Sequence, residues 1–440
     1  MKYNHFFGKI SLLLICAGFI FPACDKGPQM YVSSSENLVF DSFTTDSAFI
    51  YISSNVSWTV TVIQTEEWLK AEPPFGKGNA TVALIAEEND EFIERIAYVA
   101  ISGEGVNPDT IKVMQAPSID VAQKITDQIF KKYCLDLFDS SQDGKISLKE
   151  ARNTESKFGE NDVIIYRYKI LVKGMEITSL AGIEYFTKIR ELHCEINDIE
   201  EINVSKNKEL RVLNCSYNSN IDRIDVSELH RLTTLKVYNT NLTEIDVSNN
   251  VFLNELWIAN NSITSLNISN NKELDLLQCN SNQISNLEVN NNPKLSNLYC
   301  ANNRLNTLNL SANPNLVNLY CNDNQFTTLD VSNNKALQRL WCAQNKITNL
   351  NLANNTDLFE LHCDINLLTS LDVTRNTRLK DLKCSSNHLK GTLDISKNKN
   401  LLFIDLQNNP ELNTIYVWPD FDRHSDYYEK DDHAQWEVLD

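Results

Sequence analysis

The chain has 440 residues, 42% of them hydrophobic, and a formal net charge of −18. That length exceeds one core and predicts two to four folded units. The acidic excess repels phosphate backbones and argues against a nucleic-acid partner; spread along the chain, it reads as a solubility feature.

Lys2 and Lys9 give a positive start, and residues 10–23 form an apolar run. The run is shorter than the about 20 residues that a membrane-spanning helix needs. It ends Phe21-Pro22-Ala23-Cys24. This resembles a bacterial lipoprotein signal at 1–23, which implies a lipid on Cys24. The resemblance further implies a cell-envelope protein, surface exposed on the outer membrane. No other segment is apolar enough to span, so membrane contact is expected through the anchor alone.

Residues 24–30 read as a tether. From 31 to 117 the pattern is all-β. Short runs rich in β-branched and aromatic residues lie at 49–52, 56–63, 80–86, 95–101 and 110–114. Ser53-Ser54-Asn55, Pro73-Pro74, Gly76-Lys77-Gly78 and Gly103-Glu104-Gly105 punctuate them. This spacing predicts a β-sandwich. Ser57-Trp58, Trp68-Leu69, Gly76-Lys77-Gly78, Arg95 and Val113-Met114-Gln115 resemble the BACON family of small Ig-like sandwiches. The resemblance implies a domain found beside carbohydrate-active partners. Trp58 and Trp68 are expected between the sheets rather than on a sugar platform, and the domain reads as a spacer.

Residues 118–170 read as a helical segment and N-terminal cap. Ile125, Ile129, Tyr133 and Leu137 fall four apart, with Phe130, Cys134 and Phe138 alongside, and predict one apolar helix face. The helix runs into a twelve-residue EF-hand loop. Asp139, Ser141, Asp143 and Glu150 hold its first, third, fifth and twelfth positions, and Gly144 holds the sixth, where the turn needs φ > 0. Lys145 would offer its backbone carbonyl and Ser147 a water-mediated contact, so the cofactor expected here is calcium. The alternative is a metal-free helix–turn–helix cap, since Ser141 replaces an acid and no second loop pairs with this one.

From 171 to 417 a twenty-one-residue pattern repeats, L-x-x-L-x-C-x-x-N-x-L-x-x-L-x-V-S-x-N-x-x. Units start at Ile189, Leu210, Leu232, Leu253, Leu274, Leu295, Leu316, Leu337, Leu358, Leu379 and Leu401, after a degenerate first turn at 171–186. Apolar pairs at the fourth and sixth and at the fourteenth and sixteenth positions have strand spacing, which predicts two short strands per coil. A unit this small cannot bury its own apolar face, so the coils must stack. The pattern resembles the leucine-rich repeat of internalin-like bacterial proteins, which implies a right-handed solenoid. Asn at the ninth position predicts a stacked, hydrogen-bonded ladder. Cys fills the sixth position in eight units, but Val237, Ile258 and Leu406 take the same slot, so free, buried thiols are expected. Residues 418–440 read as a C-terminal cap.

The third and fifth positions of each unit point off the core onto the sheet face. There Tyr299, Tyr320, Trp341 and His362 form a ladder about 4.8 Å per rung, flanked by Asn297, Asn318, Arg339 and Glu360, with Trp257 further back. Together with Arg339, these aromatics suit a protein hot spot or a sugar platform. No catalytic motif is visible. The leading expectation is a monomeric, non-catalytic surface lipoprotein that binds an extracellular protein. The alternatives are a glycan-binding accessory of a polysaccharide-utilisation system and a structural envelope protein.

Overall fold

The computed structural model describes residues 27–33, 37–42, 47–65, 67–153, 157–158, 164–165 and 168–439. The segment 1–23 and Cys24 lie outside these residues. The chain divides into two compact units, one ending at Ser118 and the other starting at Ile119. Among the described residues no helix is long and apolar enough to cross a membrane.

Among the described residues the first unit is a sandwich of nine strands. β1 (Met30–Ser33), β3 (Ser47–Ser54), β7 (Ala80–Ala86) and β5 (Leu69–Glu72) make one sheet in that order. β2 (Asn37–Phe40), β9 (Val106–Gln115), β8 (Arg95–Gly103), β4 (Ser57–Ile63) and β6 (Phe75–Lys77) make the other. Alternation along β3 and β4 sends Ile50, Ile52, Trp58 and Val60 into the shared core. Trp58 and Trp68 are both buried there, as the sequence predicts. Gly76 lies flat beneath the Trp58 ring, where a Cβ would stand 2.3 Å from Cζ2. The indole N–H donates to the Gly78 carbonyl at 2.8 Å. The Gly-Lys-Gly turn is therefore shaped by one tryptophan.

In the second unit a single 3₁₀ turn (Val121–Gln123) precedes helix α1 (Gln128–Phe138). Asp127 caps it, its Oδ1 accepting the Ile129 and Phe130 N–H groups at 2.9 Å, while its Oδ2 accepts the Thr178 N–H at 2.9 Å. One carboxylate thus starts the helix and ties it to the first turn of the solenoid. Of the one apolar face read from the sequence, Phe130, Cys134 and Phe138 are buried, Leu137 packs at the margin, and Ile129 is exposed. The helix lies rotated toward Phe138, whose ring packs on Phe186 at 4.6 Å. Tyr133 stays at the margin, and its hydroxyl accepts the N–H of Leu171 on the first strand of the solenoid.

Thirteen parallel strands then stack in a single sheet, from Lys169–Leu171 to Tyr428–Glu429. Each regular coil contributes three residues in register with the next, as in Asn297↔Asn318↔Arg339. The fourth-position residue is buried and its two neighbours are half-buried. The opposite side of the coil departs from expectation. It forms one isolated bridge, Leu266↔Leu287, and becomes a sheet only near the end, in Lys390–Asp394, Glu411–Val417 and Gln435–Val438. Elsewhere on that side the coils are joined by asparagine side chains instead of strand pairing. Asn313 Nδ2 donates to the carbonyls of Val289 and Asn292 at 3.0 and 2.9 Å, and Asn292, Asn334, Asn355 and Asn376 repeat the pattern.

The ninth-position asparagines form the ladder read from the sequence. Asn303 Oδ1 accepts the Ile284 N–H at 3.0 Å, and its Nδ2 donates to the carbonyls of Cys279 and Cys300. Just before it the chain turns through a left-handed residue in every regular coil: Asn239, Asn260, Ser281, Asn302, Asp323 and Gln344 among them. Between the two asparagine columns lies the apolar core. The eight ladder cysteines are free and buried. Burial pushes the Cys215 and Cys279 thiols up to about 12, so they stay protonated and inert at neutral pH.

The last coil has no successor, and an acid from the tail replaces it. In a regular coil the N–H groups of Asn302 and Asn303 bond to carbonyls of the next coil, Asn322 and Asp323. In the last one the N–H groups of Asn408 and Asn409 go to the two oxygens of Asp431, at 2.8 and 2.7 Å. Trp418, Phe421, Tyr428 and Trp436 close the core above it, with Phe421 and Tyr428 stacked at 4.9 Å. Asp431→Ala leaves two backbone donors unpaired, and should lower stability by about 1–3 kcal/mol. Urea denaturation checks this, with Asp432→Ala as a neighbour expected to cost little. Equal midpoints for the two variants would refute the role of Asp431.

Candidate functional site

The exposed face of the long sheet carries two columns of side chains, set by the third and fifth positions of the repeat. In the fifth column Tyr299 meets Tyr320 edge-on at 4.9 Å and 83°. Tyr320 and Trp341 stack at 4.3 Å and 3°, and Trp341 and His362 at 4.6 Å and 19°. The rings stand upright on the sheet because the strand spacing is close to the preferred stacking distance. His362 Nε2 ends the row within 3.0 Å of Asp381 Oδ2. Burial raises the phenol pKa of Tyr299 and of Tyr320, so both hydroxyls remain protonated donors at neutral pH.

The third column is a hydrogen-bonded relay. Asn297 Nδ2 donates to Ser296 Oγ at 2.7 Å, Asn318 Nδ2 to Asn297 Oδ1 at 2.6 Å, and Arg339 Nη1 to Asn318 Oδ1 at 3.1 Å. Arg339 Nε lies 3.2 Å from Glu360, and the guanidinium sits 4.5 Å from the centre of the Phe359 ring. Arg339 is therefore fixed on three sides. Tyr299, Tyr320, Arg339, Trp341 and His362 come together as one preorganised strip.

The stacking decides what that strip presents. The facing sides of Tyr320, Trp341 and His362 are covered by one another, leaving edges and polar tips for a ligand. A flat sugar ring docks on an open aromatic face, and these inner faces are taken. The indole N–H of Trp341 is itself buried without a hydrogen-bond partner.

Trp257 belongs elsewhere. The coil of Gln278 separates it from Tyr299. Its Nε1 donates to Glu255 at 3.0 Å, Lys236 Nζ lies 4.5 Å from the ring centre, and its ring neighbour is Tyr238 at 6.4 Å. Tyr238 in turn meets Tyr217 edge-on at 5.2 Å. Sequence reasoning passed over Tyr217, Tyr238 and Ile196 because they fall past the strand, in positions read as turn. The available signal was compositional: Ile196 and Tyr217, like Ile365, stand where most coils carry Asn, Ser, Asp or Gln.

The loop from Asp139 to Glu150 closes on itself. Asp139 Oδ1 accepts the Gln142 N–H at 2.7 Å and Oδ2 the Gly144 N–H at 2.9 Å, with Gly144 at φ 79°. Ser141 Oγ donates to Asp139, and Asp143 accepts the Lys145 N–H. Glu150 spends both oxygens: Oε1 on the N–H groups of Ser140 and Ser141 and on Ser140 Oγ, Oε2 on Ser147 N–H. Burial pushes this carboxyl up, but those bonds outweigh it and leave the pKa below the ordinary value. With Ser147 it also makes a capping box for helix α2 (Leu148–Arg152). In this arrangement Asp139, Asp143 and Glu150 do not converge. Among the described residues no three His, Cys, Asp or Glu side chains are placed to hold a metal ion.

Residues 32–118 match the family model described as the viral BACON domain. The comparison with curated proteins gives no match. An internalin, inlF, of Listeria monocytogenes is similar at 22% identity and a TM-score of 0.58, over 73% of this chain and 93% of that one. The functional domain of InlJ from the same organism, which includes a cysteine ladder, is 21% identical over 68% of this chain and 77% of that one, at a TM-score of 0.42. The Leptospira interrogans leucine-rich-repeat protein LIC12759 is 21% identical over 54% of this chain and 68% of that one, at 0.47. The chain therefore pairs a BACON domain with a solenoid of the leucine-rich-repeat fold.

Proposed function

We propose that this is a non-catalytic binding protein of the cell surface that captures an extracellular protein on the strip Tyr299–Tyr320–Trp341–His362 with Arg339. The observation that carries this reading is the edge-out stack beside the locked Arg339. Aromatic and Arg side chains dominate protein hot spots, and rings held before binding lose little freedom when a partner arrives. The inlF likeness supports the scaffold and leaves the partner open. The chain is displayed as a monomer, held by a lipid on Cys24 after removal of 1–23.

A second reading has its own observation. On β1 and β3 the aromatic residues Tyr31, Phe49 and Tyr51 are exposed, beside a groove of about 450 Å³ lined by Ser33, Ser53, Asn79 and Thr81. Open rings with hydroxyl and amide neighbours suit a glycan, so a glycan-capturing role rests with the sandwich more than with the solenoid.

Tyr299→Ala, Tyr320→Ala and Trp341→Ala combined should leave the melting transition in place. They should weaken capture of surface proteins, in a cross-linking pull-down, by more than about 30-fold, the loss of one hot spot or more. Retained capture would place the protein site elsewhere, and binding on a glycan array that the triple variant keeps would favour the sandwich reading. Labelling with a palmitate analogue should be lost in Cys24→Ser; persistent labelling would remove the anchor.

Calcium at Asp139, Ser141, Asp143, Lys145, Ser147 and Glu150 is a further proposal. The donor types suit the ion. Glu150 would have to leave Ser140, Ser141 and Ser147, so binding should be weak. Titration calorimetry should give a dissociation constant on the order of 10⁻⁴–10⁻³ M; no heat, together with melting unchanged by a chelator, would exclude the site.

A further inference from the structure

A second stripe crosses the same face near the start of the solenoid. It runs diagonally through Ile196, Tyr217, Tyr238 and Trp257, moving from the turn in one coil to the strand three coils on. Ile196 and Tyr217 are each 49% exposed, and each sits in left-handed backbone, at φ 61° and 56°. A β-branched or bulky side chain is disfavoured there, and neither gains burial in return. Ile365 shares both features singly, but here two such residues stand in adjacent coils beside Tyr238 and Trp257, and that cluster points to a partner that covers it.

Beside the stripe stands an acid. Glu195, Ser216 and Tyr238 share one register position in three successive coils. Ser216 is fully buried, and its Oγ accepts the Tyr238 N–H at 3.3 Å, so only a small side chain separates the acid from the ring. Burial raises the Tyr238 phenol pKa, and the nearby Tyr217 and Glu195 charges add to it. Glu195 is only 9% exposed, and its Oε2 has no hydrogen-bond partner. Its Oε1 has Lys173 Nζ at 3.6 Å, longer than a hydrogen-bonded ion pair, on a side chain 61% exposed. Across the stripe, Lys236 Nζ rests on the Trp257 ring and lies 3.7 Å from Glu255. Two loosely held ammonium groups thus already mark where cations sit.

We propose that this stripe docks a protein segment that presents an arginine to Glu195. The guanidinium takes the place of the Lys173 ammonium, gives the carboxylate the paired N–H donors it lacks, and lays its plane against Tyr238, whose ring Tyr217 meets edge-on. Ile196 and Trp257 receive the apolar residues on either side of that arginine. Charge selects the occupant: an acidic segment would meet Glu195 and a chain of net charge −18. The site is separate from the Tyr299–His362 strip and stands whether or not that strip binds.

The test uses N-acetylarginine amide as probe and the full chain labelled with 5-fluorotryptophan, the Trp257 resonance being identified by its loss in Trp257→Phe. Arginine amide should shift that resonance saturably, and N-acetylglutamate amide should not. Glu195→Gln should weaken the response about tenfold, the scale of one charge-assisted hydrogen bond. Lys173→Met should strengthen it severalfold, because the competing internal cation is gone. A response unchanged by both substitutions, or the absence of any saturable shift, would overturn the proposal. If Glu195→Gln fails to fold, Lys173→Met decides, since only a displaced lysine predicts tighter binding on its removal.

Discussion

Everything in the solenoid depends on buried amides. A peptide N–H or carbonyl that leaves water must find a partner, and the corners of a twenty-one-residue coil cannot supply one from strand pairing. Asn303 and its equivalents answer this with one side chain that accepts from the coil before and donates to that coil and to its own. The ladder survives even in the twenty-two-residue coil that starts at Leu379, where Asn409 still accepts the Leu389 N–H and donates to the Cys384 and Leu406 carbonyls. The hydrogen bonding fixes where each coil must turn, and the apolar slots fall into line around that turn. That is why the sixth position tolerates Cys, Val, Ile or Leu while the ninth stays Asn from Asn261 to Asn409.

The repeat was legible because periodicity reports burial directly. Leu298, Cys300, Leu305 and Leu310 go to the core as their spacing requires. What spacing could not report was whether an extended segment pairs. Residues fourteen to sixteen have strand periodicity, yet most lie in no sheet, because Asn313 and its column take over the bonds between coils. The same limit applies to α1. Its sequence offers one broad apolar face, and the position of Phe186 decides that the Phe138 side of it is buried while Ile129 is exposed.

The candidate sites divide in the same way. The column of Tyr299, Tyr320, Trp341 and His362 follows from register alone. Ring orientation does not, and orientation is what turns an apparent platform into a row of edges. Asp139 to Glu150 shows the converse. Residue types and spacing match a calcium loop, while the folded chain directs Asp139 and Glu150 to neighbouring N–H groups. Ile196, Tyr217 and Tyr238 were hidden by the habit of reading turns as scaffold. The anomaly of Ile196 and Tyr217 appears once every coil is seen to place a left-handed residue at the same point, and Tyr238 lies one residue before it.

Asp431 carries a consequence for how such a chain changes size. Its two carboxylate oxygens stand in for the two carbonyls of an absent coil, and regular coils expose the same pair of N–H groups to whatever follows. The tail therefore recognises a generic end and not one particular coil. Internal coils can be gained or lost by in-frame duplication or deletion while both ends keep their fit. The length of the recognition face is free to vary between relatives, and its lid need not evolve with it.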